Sequence, residues 1–167
     1  MFWLKDPAVI CIRETVLDDL IKRFRGIDKR QINYYDHPGL YRPKRVTKRT
    51  RQRVWLPYDG PTLCEPVFSA VAPLHPSSSV EIARQCGVCG NTVYKNFQGI
   101  EVSDSRERKP RVPGKGLFFK NCDLNGSDFF RPKYMGFRLC TRPVKDYIEE
   151  KGYTNVQFLE VGDILPD

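Results

Sequence analysis

"GFRLCTRPVKDYIEEKGYTNVQFLEV", residues 136–161, is the stretch that decides the fold. The apolar segments at its two ends, residues 136–140 and 156–161, predict two strands. The segment between them predicts a helix over residues 142–151, because its apolar side chains recur at helical spacing. Those side chains are Val144, Tyr147 and Ile148. The stretch therefore predicts a strand–helix–strand unit.

The N-terminal part of the sequence follows a similar plan. "AVICI", residues 8–12, is a continuous apolar run that predicts a buried strand, and residues 14–25 predict a helix with acidic residues early and basic residues late. Both helices carry boundary signals. Gly26 is placed to end the first helix, while Thr141 is placed to cap the second and Pro143 falls in its first turn.

The length of 167 residues is that of one ordinary domain. We divide it into a basic strand–helix unit at 1–60, a proline-rich segment at 61–91, and the strand–helix–strand unit at 92–167. A further strand is predicted at "LFFKNC", residues 117–122. The predicted fold class is α+β, with two helices on a mostly antiparallel sheet and a loop-borne pair of cysteines.

Composition limits the class of partner and the compartment. The formal net charge of +8 favours an anionic partner such as nucleic acid, an acidic protein or anionic lipid. We find neither a signal peptide nor an apolar run of about 18 residues, so we expect a cytoplasmic protein without a membrane span. In that reducing compartment the six cysteines are expected to be free, buried or metal-bound.

The most chemically specific motif is "QCGVCG", residues 85–90, in which Cys86 and Cys89 have the spacing of half a zinc site. Upstream, Cys64 and His75 extend it to C-x10-H-x10-C-x2-C, and we predict these four residues as zinc ligands. Cys122 is a rival ligand. Two reduced cysteines without metal and a redox-active dithiol are the alternatives. The remaining cysteines, Cys11 and Cys140, lie in apolar strands and are expected in the core.

Three stretches together resemble the double-CXXCG motif family. They are "CGVCGNTVY" at 86–94, "DLNGSDFFR" at 123–131 and "FRLCTRPVKDYIEEKGYTNVQFLEV" at 137–161. The family comprises bacterial paralogues best known from myxobacteria, some of which act as immunity proteins against contact-delivered toxins. The resemblance implies a binding protein that neutralises a cognate toxin. Family members carry another CXXCG upstream, and this sequence retains only the second motif, at Cys86 and Cys89, so we expect a short form of the family.

A basic segment at residues 42–53, "RPKRVTKRTRQR", contains seven positive side chains and no acid. We predict it to be the partner-binding surface for an acidic toxin, because arginine pairs with carboxylates through two hydrogen bonds at once. Its predicted contact residues are Arg45, Lys48, Arg49, Arg51 and Arg53. The charged loop 104–115 is the second choice for this surface.

Nucleic-acid binding by a zinc-ribbon-like module is the alternative function. The basic segment has aromatic residues nearby that could stack on bases, namely Tyr34, Tyr35, Tyr41 and Trp55. An enzyme is not expected, because the two histidines, His37 and His75, both lie in turn-rich sequence and no phosphate-binding glycine loop occurs. The sequence thus predicts a non-catalytic binding protein.

Overall fold

The computed structural model describes residues 10–32, 60–100, 110–154 and 156–167, and these contain three helices and ten strands. The helices are α1 (Glu14–Arg23), α2 (Asn121–Leu124) and α3 (Arg142–Glu150). The strands are β1 (Ile12–Arg13), β2 (Ile27–Gln31), β3 (Leu63–Phe68), β4 (Ala70–Ala72), β5 (Glu81–Gln85), β6 (Thr92–Lys95), β7 (Leu117–Lys120), β8 (Phe129–Pro132), β9 (Leu139–Cys140) and β10 (Gly162–Leu165). The fold is α+β, as predicted.

Four small sheets form within the described ranges, with the orders β1-β3-β2, β4-β8-β9, β5-β6 and β10-β7. Four strand pairs are antiparallel, whereas β4 with β8 and β7 with β10 are parallel. The sheet structure is therefore mostly antiparallel, as expected. The α1–β2 connection is tight because Gly26 adopts φ +85°, a conformation that suits glycine.

The two predicted helices pack together in the first of two core clusters. Helix α1 contributes Leu17 and Leu20, and α3 contributes Val144, Tyr147 and Ile148, all of them buried. The ring of Phe24, just beyond α1, meets the ring of Tyr147 edge-on with their centroids 5.4 Å apart. The apolar spacing of both helices thus serves one shared core.

The N-terminus of α3 differs in detail from the prediction. Thr141 occupies the N-cap position, but its side chain makes no cap hydrogen bond. Its hydroxyl lies 3.2 Å from Oδ1 of Asp128 and donates a hydrogen bond to it. The other carboxylate oxygen of Asp128 accepts from the backbone N–H of Arg25. Asp128 therefore joins the end of α1 to the start of α3, which draws the Thr141 hydroxyl away from the helix.

The predicted strand over residues 156–161 is wrong: this described segment forms no strand, and β10 begins at Gly162. Phe158 packs against the first core cluster, whereas Leu159 and Val161 pack against the second. The apolar residues thus bridge two cores instead of lining one face of a sheet. Pairing with β7 begins where the Leu117 N–H donates to the Val161 carbonyl, at 2.8 Å.

A shared carboxylate ties α1 to α3. Oδ2 of Asp19 accepts hydrogen bonds from the hydroxyls of Tyr147, at 2.7 Å, and Tyr153, at 2.8 Å. The bond from Tyr147, followed by that from Tyr153, holds the pKa of Asp19 below its usual range. The same contact, more than burial, raises the pKa of Tyr153 to about 12.

This contact makes a testable contribution to acid stability. Because the pKa of Asp19 is lower in the folded chain, its contribution is present above the unfolded pKa of about 3.9 and is lost as pH falls through the folded value. We expect Tyr153→Phe to lower the melting temperature at pH 7 and to lessen the loss of stability below about pH 4. Thermal unfolding of this variant and of the control Tyr134→Phe measures both effects. Equal pH profiles for wild type and Tyr153→Phe would contradict the assignment.

Candidate functional site

The two cysteines of the C-x-x-C motif lie at the turn of a β-hairpin, which we call the CxxC hairpin (residues 81–95). Strand β5 pairs with β6 from Glu81 opposite Lys95 to Gln85 opposite Thr92. Two backbone hydrogen bonds close the turn. The Gly90 N–H donates to the Cys86 carbonyl at 2.9 Å, and the Cys86 N–H donates to the Asn91 carbonyl at 2.8 Å. Gly90 has φ +69°, so glycine suits the residue that follows the second cysteine.

The sulfur of Cys86 is held in a polar environment although the residue is exposed. Interactions with the backbone of Cys89, then with the backbone of Val88 and the Cys89 side chain, lower the pKa of Cys86. They favour the thiolate, which is the form that binds metal ions and acts as a nucleophile. The turn is therefore chemically suited to be half of a thiolate metal site.

The four predicted zinc ligands do not come together. In the part of the chain that the structure describes, no group of three or more Cys, His, Asp or Glu residues could hold a metal ion. Cys64 is only 2% exposed and belongs to the first core cluster, where burial raises its pKa. Nδ1 of His75 accepts a hydrogen bond from the Ser77 N–H at 3.2 Å. In this structure Cys64 and His75 therefore do not join Cys86 and Cys89 in one group.

The rival ligand Cys122 lies elsewhere, in α2. Its backbone N–H donates to Oδ1 of Asp167 at 2.6 Å, and the interaction of its thiol with this carboxylate raises the pKa of Cys122. Cys140 packs against the first core cluster, and burial raises its pKa to about 11. Cys11 is half-buried, and partial burial raises its pKa. These three cysteines are therefore set apart from the motif.

The hairpin presents apolar side chains that the sequence reasoning did not single out. Val88, between the two cysteines, is 98% exposed, and Ile82 and Val93 are 58% and 44% exposed. Neither core cluster includes a residue of this hairpin. A shallow cleft on the hairpin is lined by Arg84, Cys86, Cys89, Asn91 and Val93. The only sequence signal for this surface was the apolar residue inside the C-x-x-C spacing.

The predicted partner-binding residues Arg45, Lys48, Arg49, Arg51 and Arg53 lie outside the described residues, as do residues 104–109 of the charged loop. In the described part of that loop, Arg111 has a side chain that is only 9% exposed. Its guanidinium forms ion pairs of 2.9 Å with both Glu160 and Asp163, and donates to the Lys115 carbonyl. Arg111 thus fastens its loop to the residues around the start of β10.

Comparison with known proteins gives no match to a family model, to a curated protein or to a solved structure. The resemblance to the double-CXXCG motif family therefore stays a prediction. Among the helices of the described ranges, none has the length and apolar character needed to cross a membrane.

Proposed function

We propose that this chain is a non-catalytic binding protein that acts in the cytoplasm as a bacterial immunity protein, neutralising a cognate toxin by direct protein–protein binding. One structural observation supports a binding role above all: the CxxC hairpin is well paired, yet Val88 at its turn is almost fully exposed. An almost fully exposed apolar side chain beside two exposed cysteines is available for contact with a partner. The resemblance described above supplies the proposed class of partner.

The toxin itself is proposed to bind the basic segment 42–53, on the strength of its sequence. Charge complementarity would speed the encounter with an acidic surface and make it sensitive to salt. The hairpin, on this proposal, is a second contact surface. The basic segment would make charged contacts, and the CxxC hairpin would make contacts through Val88 and its two thiols.

Reversal of two charges tests the basic surface. We expect the double variant Arg49→Glu, Arg51→Glu to weaken toxin binding by roughly 2–5 kcal/mol, because it places like charges opposite the acidic partner. Its melting temperature should stay close to that of the wild type, as is usual for surface substitutions. The matched control Arg131→Glu, Lys133→Glu alters two other positive residues by the same charge. Toxin binding that survives the Arg49→Glu, Arg51→Glu reversal would place the interface elsewhere. Equal loss of affinity in both double variants would mean that net charge, and not this segment, decides binding.

Titration calorimetry with purified components tests the proposed function as a whole. The probes are the protein encoded by the gene next to that of this chain, a DNA duplex and a single-stranded RNA. We expect saturable binding of the neighbouring protein at physiological salt and little binding of either nucleic acid. Tight nucleic-acid binding that weakens steeply with salt, without binding of the protein, would favour the alternative function instead.

A further inference from the structure

The CxxC hairpin supplies two ligands of a metal site that requires four. Structural zinc is bound tetrahedrally, and a C-x-x-C turn provides two thiolates. Within the described ranges no Cys, His, Asp or Glu joins Cys86 and Cys89 in a group of three. The two thiols are exposed at the hairpin turn, so that a second polypeptide can reach the same ion.

A second copy of this chain can supply the two missing ligands, because its own Cys86 and Cys89 provide two further thiolates. Two hairpins related by a two-fold axis through the metal present four identical thiols, and such symmetric contacts close on themselves as a dimer. The thiols stand beside Val88, which is 98% exposed and would be covered where two hairpins meet. Covering this side chain removes apolar surface from water and shields the metal from solvent.

Charges around the thiols suit a site of this composition. Four thiolates around one Zn²⁺ carry a net charge of −2, which must be balanced. In each copy Arg84 lines the cleft that contains both cysteines. Two copies therefore bring two arginine residues beside the shared site.

We propose that Cys86 and Cys89 from two copies of this chain bind one zinc ion between them, so that the metal joins two CxxC hairpins in a dimer. This inference rests on the proposed function only in treating the hairpin as a contact surface. It identifies the occupant of that surface as a second copy, and it leaves the basic segment of each copy for the toxin.

The first test measures mass and metal together on the full chain in a thiol-free reductant. Metal-free protein should have the 19.4 kDa mass of one chain by light scattering after gel filtration. Addition of zinc should double that mass and leave one zinc ion for every two chains by elemental analysis. Excess chelator should restore the monomer. Cobalt in place of zinc should give the intense visible bands of tetrahedral thiolate coordination.

Cysteine variants assign the ligands. Cys86→Ser and Cys89→Ser should each abolish zinc-dependent doubling and stoichiometric zinc binding. Cys122→Ser, a change at another exposed cysteine, should leave both unchanged. Because the two hairpin cysteines lie outside both cores, their variants should keep the wild-type melting temperature without metal. That measurement separates loss of the site from loss of the fold.

Several results would overturn the proposal. One zinc ion per monomer would mean that the remaining ligands come from the same chain. A chain that stays monomeric with zinc, or a dimer that persists in excess chelator, would exclude metal bridging. Toxin binding is measured separately by the calorimetry above. A failure of zinc bridging with intact toxin binding would leave the proposed function standing, and the opposite pattern would leave only the bridge.

Discussion

Replacement of Gly162 by alanine is expected to destabilise the fold by more than about 3 kcal/mol, as overpacking that reaches the backbone does in severe cases. Gly162 is the first residue of β10 and lies opposite Leu117 in the parallel pair with β7. A Cβ there would overlap the carbonyl group of Leu117 and lie 2.8 Å from its nitrogen. Backbone atoms cannot move aside by changing rotamer, so the two strands must separate.

The consequence should extend into the second core cluster, because Leu117 and Phe119 of β7 are buried there. Urea unfolding followed by circular dichroism measures the loss. Gly136→Ala is the matched control, since a Cβ at Gly136 meets no atom within 4 Å. We expect the control to stay near wild-type stability. If the two alanine variants unfold at the same urea concentration, the described approach of β10 to β7 is incorrect.

Truncation of Leu17 to alanine should cost about 2–5 kcal/mol of unfolding free energy, as large-to-small changes in cores do. Leu17 is fully buried on α1, in the cluster where α1 meets α3. Its removal leaves a cavity between two helices whose positions are also fixed by the Asp19 contact to Tyr147 and Tyr153. Limited freedom to collapse into the cavity places the effect toward the upper end of that range.

Ile82→Ala is the control for this truncation, because Ile82 is 58% exposed on the CxxC hairpin. Its removal should change the unfolding free energy by no more than about 0.5 kcal/mol. The same denaturation experiment compares both variants. A cost for Ile82→Ala as large as that for Leu17→Ala would show that the hairpin is packed into the fold, and would contradict its description as an exposed contact surface.

Local patterns predicted the elements whose formation depends on local sequence. The helices predicted at 14–25 and 142–151 are found at Glu14–Arg23 and Arg142–Glu150, because apolar periodicity identifies a buried helix face. The strand predicted at 156–161 failed because its apolar residues serve two separate cores. Its true pairing begins at Gly162, where close backbone approach requires glycine, and no local pattern states which strand will lie opposite.

The candidate site was predictable in part for a similar reason. The C-x-x-C spacing identified Cys86 and Cys89, because both lie in one turn and residues that are close in sequence there are also close in space. The sequence spacing between Cys64 and the C-x-x-C motif could not show that Cys64 lies on a strand of a different sheet, with its side chain in the first core cluster. The exposure of Val88 also depends on where the hairpin lies relative to the cores, which follows from the whole fold.

Growth of bacteria that produce the toxin tests the central claim, immunity by direct binding, most directly. The protein encoded by the neighbouring gene is expressed alone, with this chain, or with its Arg49→Glu, Arg51→Glu variant. We predict arrest of growth with the toxin alone, full growth with the wild-type chain, and recovery of a complex of fixed stoichiometry from the protected cells. The double variant should protect poorly. Arrest despite abundant wild-type chain, or protection without any recoverable complex, would contradict the account.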